Sequence, residues 1–575
     1  MPEKPSSQTI FQAALVGLIG MCGLLLAASA PCPAADAKNS AAKNSAVLKE
    51  LRKTRKIAAE KQRRIVFNND GNEPVYYCKE ATAEELLKCR TTGLLGSHVD
   101  SIFYCTWSSG FGYFTHATKL GYVFDTTDVA GDPKGKGFST NKTAEFIKRG
   151  SDPLEIMVDF SKKNGLEVFW SFRMNDTHDS WNGWYSDTLF PPIKREHPEW
   201  LVSNKKKRSK HGGWSAMDFA RPQVRDLAVG YIKEVCENYD VDGIEMDFFR
   251  HLVYFKAVAQ DKDTPQAERD MMTDMVRRVR DMTEQIGLKR GRPILVSVRV
   301  PDSVEAAAVM GFDIERWMKE GLVDILAVSG YFRLNDWETT VALGKKYDVP
   351  VFAGLSESRV RDDPGRVRNS IEAYRGRAMN AWDAGVDSVY LFNLFNPKLP
   401  QWRELGEPDK LALLDKVYVA NIRGTTAARR WIPRADRFIN RKTTICPENP
   451  MKLPPGKPAV GWIRVGEDIA GNQSDGRKAQ VTLRLRMPGT TDPEDYTVKL
   501  GDKVLTGGKK TGPRTAAGKP LKAAKGKKQP AREWLEFQVE PQHVRRGFNR
   551  IEITLNKNAK GKPQVWKDIQ LSVRY

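Results

Sequence analysis

Between residues 64 and 396 the sequence alternates eight short apolar runs with amphipathic helical segments, and that alternation leaves few folds open. The runs are RIVFNND (64–70), VDSIFYCTW (99–107), LEVFWSFRMND (166–176) and VDGIEMDFFR (241–250), then ILVSVRVPD (294–302), VDILAVSGYF (323–332), VPVFAGLSES (349–358) and VDSVYLFNLFN (386–396). Between them, segments such as RPQVRDLAVGYIKEVCENY (221–239) place apolar residues at helical spacing. Strands that alternate with helices form parallel βαβ units. Eight such units predict a closed (β/α)8 TIM barrel over residues 64–430, in place of an open doubly wound sheet.

After residue 440 the pattern changes to period two, in segments such as AQVTLRLRM (479–487) and FNRIEITLN (548–556). This predicts an all-β sandwich over 459–575, joined to the barrel by a linker at 431–458. The basic stretch 507–532 reads as a loop of the sandwich, and 38–63 as a basic linker before the barrel. At the N-terminus, Lys4 precedes the uncharged run 13–30, followed by PAADA ending at Ala37. Residues 1–37 are therefore expected to be an export signal, and the chain to be periplasmic, extracellular or cell-surface, with no membrane span after cleavage.

Lysine and arginine outnumber acids 92 to 71, a net charge of +21. Much of the excess sits in the runs 49–64 and 507–532, which read as solvated tails or loops. Without a recognition motif they predict no nucleic-acid partner, and a sulfated or carboxylated polysaccharide is the polyanion they would fit. No CxxC pair, paired-His motif or GxGxxG fingerprint is present, so neither a metal nor a cofactor is expected. A disulfide between two of Cys78, Cys89 and Cys105 is conceivable in an oxidising compartment.

Side chains alternate faces along a strand. In the fourth strand Ile244, Met246 and Phe248 suit the outer helices, which leaves Gly243, Glu245, Asp247 and Phe249 pointing inward. Asp247 falls near the C-terminal end of that strand, where barrel enzymes keep catalytic groups. On the same parity Arg173 and Asn175, Ser297 and Arg299, and Ser329 and Tyr331 line the interior, and a salt bridge from Glu245 to Arg173 or Arg299 is expected. Glycoside hydrolysis needs two carboxylates. Asp247 is the first, and Glu357 or Asp302 the second. Substrate contacts are expected from Glu245, Arg173, Asn175, Arg299, Tyr331, Asn393, Arg250 and His251, and from the aromatics Trp107, Trp181 and Trp184.

The DGIEMDFFRH segment, in an eight-stranded barrel with a β-rich tail, resembles the glycoside-hydrolase-like barrel proteins, glycosyl hydrolase-like family ten among them. Their fourth strand ends in a DGI-x-x-D-x-x-R type motif. The resemblance implies a carbohydrate-active enzyme with Asp247 as a catalytic carboxylate. It also resembles the DGxDxDxE strand of family-18 chitinases, but Phe249 stands where their catalytic glutamate would be, so that mechanism is excluded. With α-amylase-like barrels only the position of the aspartate matches, since Glu245 replaces their arginine. The reading is an exported hydrolase of a polysaccharide, with a non-catalytic carbohydrate-binding or cell-surface protein as the alternative.

Overall fold

The computed structural model describes residues 33–127, 137–181, 185–356, 358–472, 479–489, 492–522, 528, 530–556 and 564–575. Its eight parallel strands close into a barrel in which each strand neighbours the next in the chain. They are β1 (Ile65–Asn69), β2 (Val99–Tyr104), β3 (Glu167–Arg173), β4 (Gly243–Asp247), β5 (Leu295–Val300), β6 (Ile325–Val328), β7 (Val351–Leu355) and β8 (Ser388–Leu391). β8 pairs with β1 to complete the ring. The strands are buried on both faces because helices cover the outside, which is why they read as apolar runs. Helix ends carry ordinary stops. Asp152 caps Pro153–Lys163 by accepting from Leu154 N–H and Glu155 N–H at 2.8 and 3.0 Å, and Gly385 closes Ile371–Ala384 at φ 91°.

Large rings fill the lower interior. Phe103 and Phe169 stack with centroids 4.3 Å apart, and Tyr390 meets Phe103 edge-on at 5.7 Å. Gly243 is required there, because a Cβ at that position would sit 2.2 Å from the Phe169 ring.

Two antiparallel sheets follow. One has the order β9 (Lys416–Val419), β17 (Asp568–Arg574), β11 (Gln480–Arg486), β15 (Trp534–Val539), β14 (Lys509–Thr511). The other has the order β10 (Pro458–Val465), β16 (Gly547–Leu555), β12 (Tyr496–Leu500), β13 (Lys503–Val504). Burial alternates residue by residue along β10 and β16, the period-two signature of the sequence. β9 lies within the stretch assigned to the barrel but pairs with the last strand of the chain. Arg368 locks the two parts together: it is fully buried and donates to Asp568 at 2.5 Å and to the Asn421 carbonyl at 3.2 Å.

The basic segments differ from their reading as tails. Residues 33–60 are helical. Within 50–63, Arg52 reaches Glu284 at 2.8 Å, Arg55 also pairs with Glu284, and buried Arg63 reaches Glu167 at 2.7 Å. These arginines neutralise acids on the barrel, a role that charge counting cannot distinguish from solvation. In the second run, residues 509–511 form an edge strand on β15. The run read as an export signal lies outside the described residues. Among those described, no helix is long and apolar enough to cross a membrane, and Cys78, Cys89, Cys105, Cys236 and Cys446 are free thiols.

Candidate active site

Register builds the site. Arg173, Asp247 and Arg299 are partners in one row across β3, β4 and β5, with Ser171, Glu245 and Ser297 in the row beneath. Asp247 is the last residue of β4, at the predicted rim. Arg299 grips it with both forks, Nε to Oδ1 at 2.9 Å and Nη2 to Oδ2 at 2.7 Å. Oδ1 also accepts the Phe249 and Arg250 amides, each at 3.0 Å. Burial opposes charge on Arg299, and the Asp247 carboxylate more than restores it. The rings of Phe392, Tyr390 and Phe249 surround this guanidinium at 4.0, 5.6 and 5.8 Å. Asp247 is only 2% exposed, so the expected open carboxylate is instead a clamped one, and Arg299 is a clamp rather than a substrate contact.

Glu245 departs from expectation. No arginine pairs with it among the described residues. Oε2 accepts the Ser171 hydroxyl at 2.5 Å and, from β8 on the opposite wall, the Tyr390 hydroxyl at 2.9 Å. Oε1 has no partner. Arg299 is already committed to Asp247, and Arg173 turns to Asp70. Burial first, then the Asp247 charge, push the Glu245 carboxyl up to about 7. A folded value above the ordinary 4.5 means that wild-type stability falls as pH rises from about 4.5 to about 7. Glutamine has no such proton to lose. Glu245→Gln is expected to gain on the wild type across that window, by up to about 3 kcal/mol at ~1.4 kcal/mol per pH unit. Thermal unfolding checks this: the difference in Tm grows from pH 4.5 to 7 and then levels, and a constant difference would contradict the assignment.

Two further acids stand at strand ends. Burial raises the Asp70 carboxyl, but the charges of Arg173, Arg250 and Arg90 overcome it and hold the group below the usual range. Asp176 is likewise held well down, burial being outweighed by His178, His251 and Arg173. Its Oδ2 meets His178 Nδ1 at 2.7 Å. Asp176, His178 and His251 place ligand atoms within 4.8 Å of one another and are the described group able to hold a metal ion. His251 Nδ1 already accepts the Thr177 amide at 3.0 Å, so binding there would have to break local bonds.

Several expected contacts are structural instead. Asp302 accepts the Leu334 and Asn335 amides at 3.0 Å, so its carboxylate anchors a loop. Asn175 is fully used by Met217 and Val253. Arg173 donates to the Trp107 carbonyl at 3.0 Å, and Trp107 itself packs on Phe124 at 4.7 Å, 6% exposed. His251 is buried. Asn393 donates to Ser358 at 2.7 Å. Glu357 and Trp184 lie outside the described residues.

The rim is aromatic and cationic. Arg250 donates to the Tyr331 hydroxyl, and its Nη2 lies 3.4 Å from His178 Nε2. Arg359 lies 4.0 Å over the Tyr331 ring, and Arg430 lies 4.8 Å over Trp181 and 5.4 Å from Trp431. Strain concentrates on the same face. Thr106, Trp107 and Ser108 after β2, Ser329 after β6 and Asn393 after β8 all have positive φ, at 45°, 66°, 43°, 73° and 57°. Such backbone costs about 1–3 kcal/mol per residue and clusters at functional sites.

Residues 134–349, which span β3 to β6 and include Asp247, match the model of the family described as Glycosyl hydrolase-like 10. The stretch is thus similar to glycoside-hydrolase-like proteins over the middle of the barrel. Glycosyl hydrolase YngK of Bacillus subtilis (strain 168) is 31% identical over 101 residues, 17% of this chain and 18% of that relative. The aligned stretch thus spans less than a fifth of it. Among solved structures, alpha-L-fucosidase isoenzyme 2 from Paenibacillus thiaminolyticus is 12% identical, with a TM-score of 0.35, over 61% of this chain and 48% of that one. A glycoside hydrolase family 18 N-acetylglucosaminidase from Paenibacillus barengoltzii is 10% identical, with a TM-score of 0.32, over 60% of this chain and 98% of that one.

Sequence reasoning missed Tyr390, Arg359, Arg430 and Trp431. Tyr390 shares its strand parity with Ser388, and that alternation was a usable signal. The other three lie in segments whose path over the barrel mouth no local pattern encodes.

Proposed function

We propose that the barrel hydrolyses O-glycosidic bonds in an anionic polysaccharide outside the cytoplasm, with Asp247 as nucleophile or base. The observation that carries this reading is the Asp247 carboxyl, paired with Arg299 at the C-terminal end of β4, below a rim of arginines interleaved with aromatic rings. Aromatic faces stack on sugar rings, and arginine forks suit carboxylate or sulfate groups. The bidentate clamp holds the Asp247 carboxyl in one orientation at the strand end, where a group that attacks or activates water has to stand. Oδ2 accepts only Arg299 among the described residues, which leaves it a lone-pair direction toward substrate. Glu357, two residues beyond β7, remains the acid of the pair. Retention would need the two carboxyls about 5–5.5 Å apart, and inversion about 6.5–9.5 Å.

One observation favours the second reading, a carbohydrate-binding barrel without turnover: Asp247 is buried and both its oxygens are engaged. Incubation of the full chain with neutral, carboxylated and sulfated polysaccharides, read as new reducing ends, separates the two. The wild type is expected to cleave an anionic polymer, and the variant Arg250→Gln/Arg430→Gln to lose at least about tenfold in kcat/KM on it, the equivalent of ~1.4 kcal/mol. Binding without new ends on every polymer would favour the second reading. Equal cleavage by wild type and variant would remove the rim from substrate recognition.

A further inference from the structure

Beside the mouth, a cavity of about 70 Å³ lies where the C-terminal ends of β6 and β7 meet the helix Ile371–Ala384 and the segment 419–443. Its lining is unbalanced in charge. Arg333, Arg377, Arg423, Arg441 and Arg464 face a single acid, Asp336. Arg464 is neutralised elsewhere, by Glu338 at 2.8 Å and Asp383 at 2.7 Å. Asp336 is shared, 3.5 Å from Arg441 and 3.8 Å from Arg333. Arg423 has no carboxylate within ion-pair distance among the described residues. It is 8% exposed, donates to the Gly330 and Ser356 carbonyls, and leaves Nε unpartnered. Arg333 Nε and Arg441 Nε also lack a hydrogen-bond partner.

Buried charge without a counterion is strongly unfavourable. The strain registers on the arginines themselves. Burial, then the neighbouring guanidiniums, push Arg333 and Arg423 down to about 9. A guanidinium ordinarily stays charged above pH 12, so the group that relieves this cluster is an anion.

We infer that this cavity binds one free tetrahedral oxyanion, sulfate or phosphate, between Arg333, Arg423 and Arg441. Arginine forks suit such oxygens. The volume exceeds several times the ~10–15 Å³ that one water needs, and admits a small ion but no sugar. Because the lining comes from the barrel, the helix Ile371–Ala384, β9 and Phe548 of β16, the ion would bridge barrel and sandwich. Its lining does not include Asp247, Arg250, Tyr331 or Arg430, so the inference does not depend on activity at the rim.

Equilibrium dialysis of the full chain with radiolabelled sulfate, at ionic strength held constant by chloride, tests the inference. The wild type is expected to show one saturable site per chain, displaced by phosphate and not by chloride. Arg423→Gln and Arg333→Gln are expected to bind at least tenfold more weakly, while Arg250→Gln at the mouth binds as the wild type does. No saturable site, or unaltered binding in both cavity variants, would overturn it, as would loss in Arg250→Gln alone. If neither cavity variant folds, the wild type decides: sulfate that raises Tm over chloride with saturation supports the site, and an unsaturating rise equal to that given by any excluded salt refutes it.

Discussion

Asp247→Asn is expected to lower kcat/KM on any glycan the wild type cleaves by about 10²–10⁴-fold, the range for removing a positioned proton-transfer or nucleophilic group. The same change leaves fully buried Arg299 without its ion-pair partner, and losing one partner of a buried pair costs about 3–5 kcal/mol. Activity and stability therefore fall together in the single variant, and loss of activity alone does not assign a role. Asp247→Asn/Arg299→Gln separates them. It replaces the ion pair by two neutral amides, so stability is expected to recover in part while activity does not. Urea unfolding alongside initial rates reads both. Activity that returns with stability would make Asp247 a structural anchor.

Asp568→Asn is expected to give the largest loss of stability outside the site, again about 3–5 kcal/mol. Arg368 is 0% exposed and Asp568 1%, and their contact ties a barrel segment to the final strand. Asp568 Oδ1 also accepts the Ile569 amide at 2.8 Å and Oδ2 the Gln570 side chain at 3.1 Å, so the amide cannot reproduce the set. Asp363, whose Oδ1 already accepts from Arg368 at 3.4 Å, keeps part of the charge compensated, so the loss is expected at the lower end of that range. A shift in the urea midpoint with unchanged slope is the expected signature. A loss below about 1 kcal/mol, the level of a surface pair, would contradict the role given to this junction.

The barrel was legible because its signal is local and repeated. Each strand is a short apolar run buried on both faces, and the eight runs need no long-range information to be counted. Strand parity likewise placed Asp247 and Glu245 on the inner wall and Asp247 at the rim. Pairing was not legible. Arg173 and Arg299 share parity with both acids, and only the register shows that Arg299 stands beside Asp247 while Asp70 draws Arg173 away. The hydroxyl of Tyr390 reaches Glu245 across the barrel, a contact between residues 145 apart in sequence. Asp302 and Asn175 look like site residues by type and position, yet their bonds go to loop backbone, which the side-chain pattern alone does not reveal. The basic N-terminal run misled for the opposite reason: its partners Glu284 and Glu167 lie more than a hundred residues away.

Hydrolysis in water enriched in oxygen-18 puts the central claim most directly at risk. If water attacks an anomeric carbon at the β4 rim, wild-type product from an anionic polysaccharide carries the heavy oxygen at its new reducing end, and Asp247→Asn/Arg299→Gln yields none above background. Shorter chains that carry no label, or that end in an unsaturated sugar, would mean the bond breaks by another chemistry, and labelled product in equal amount from the double variant would take Asp247 out of it.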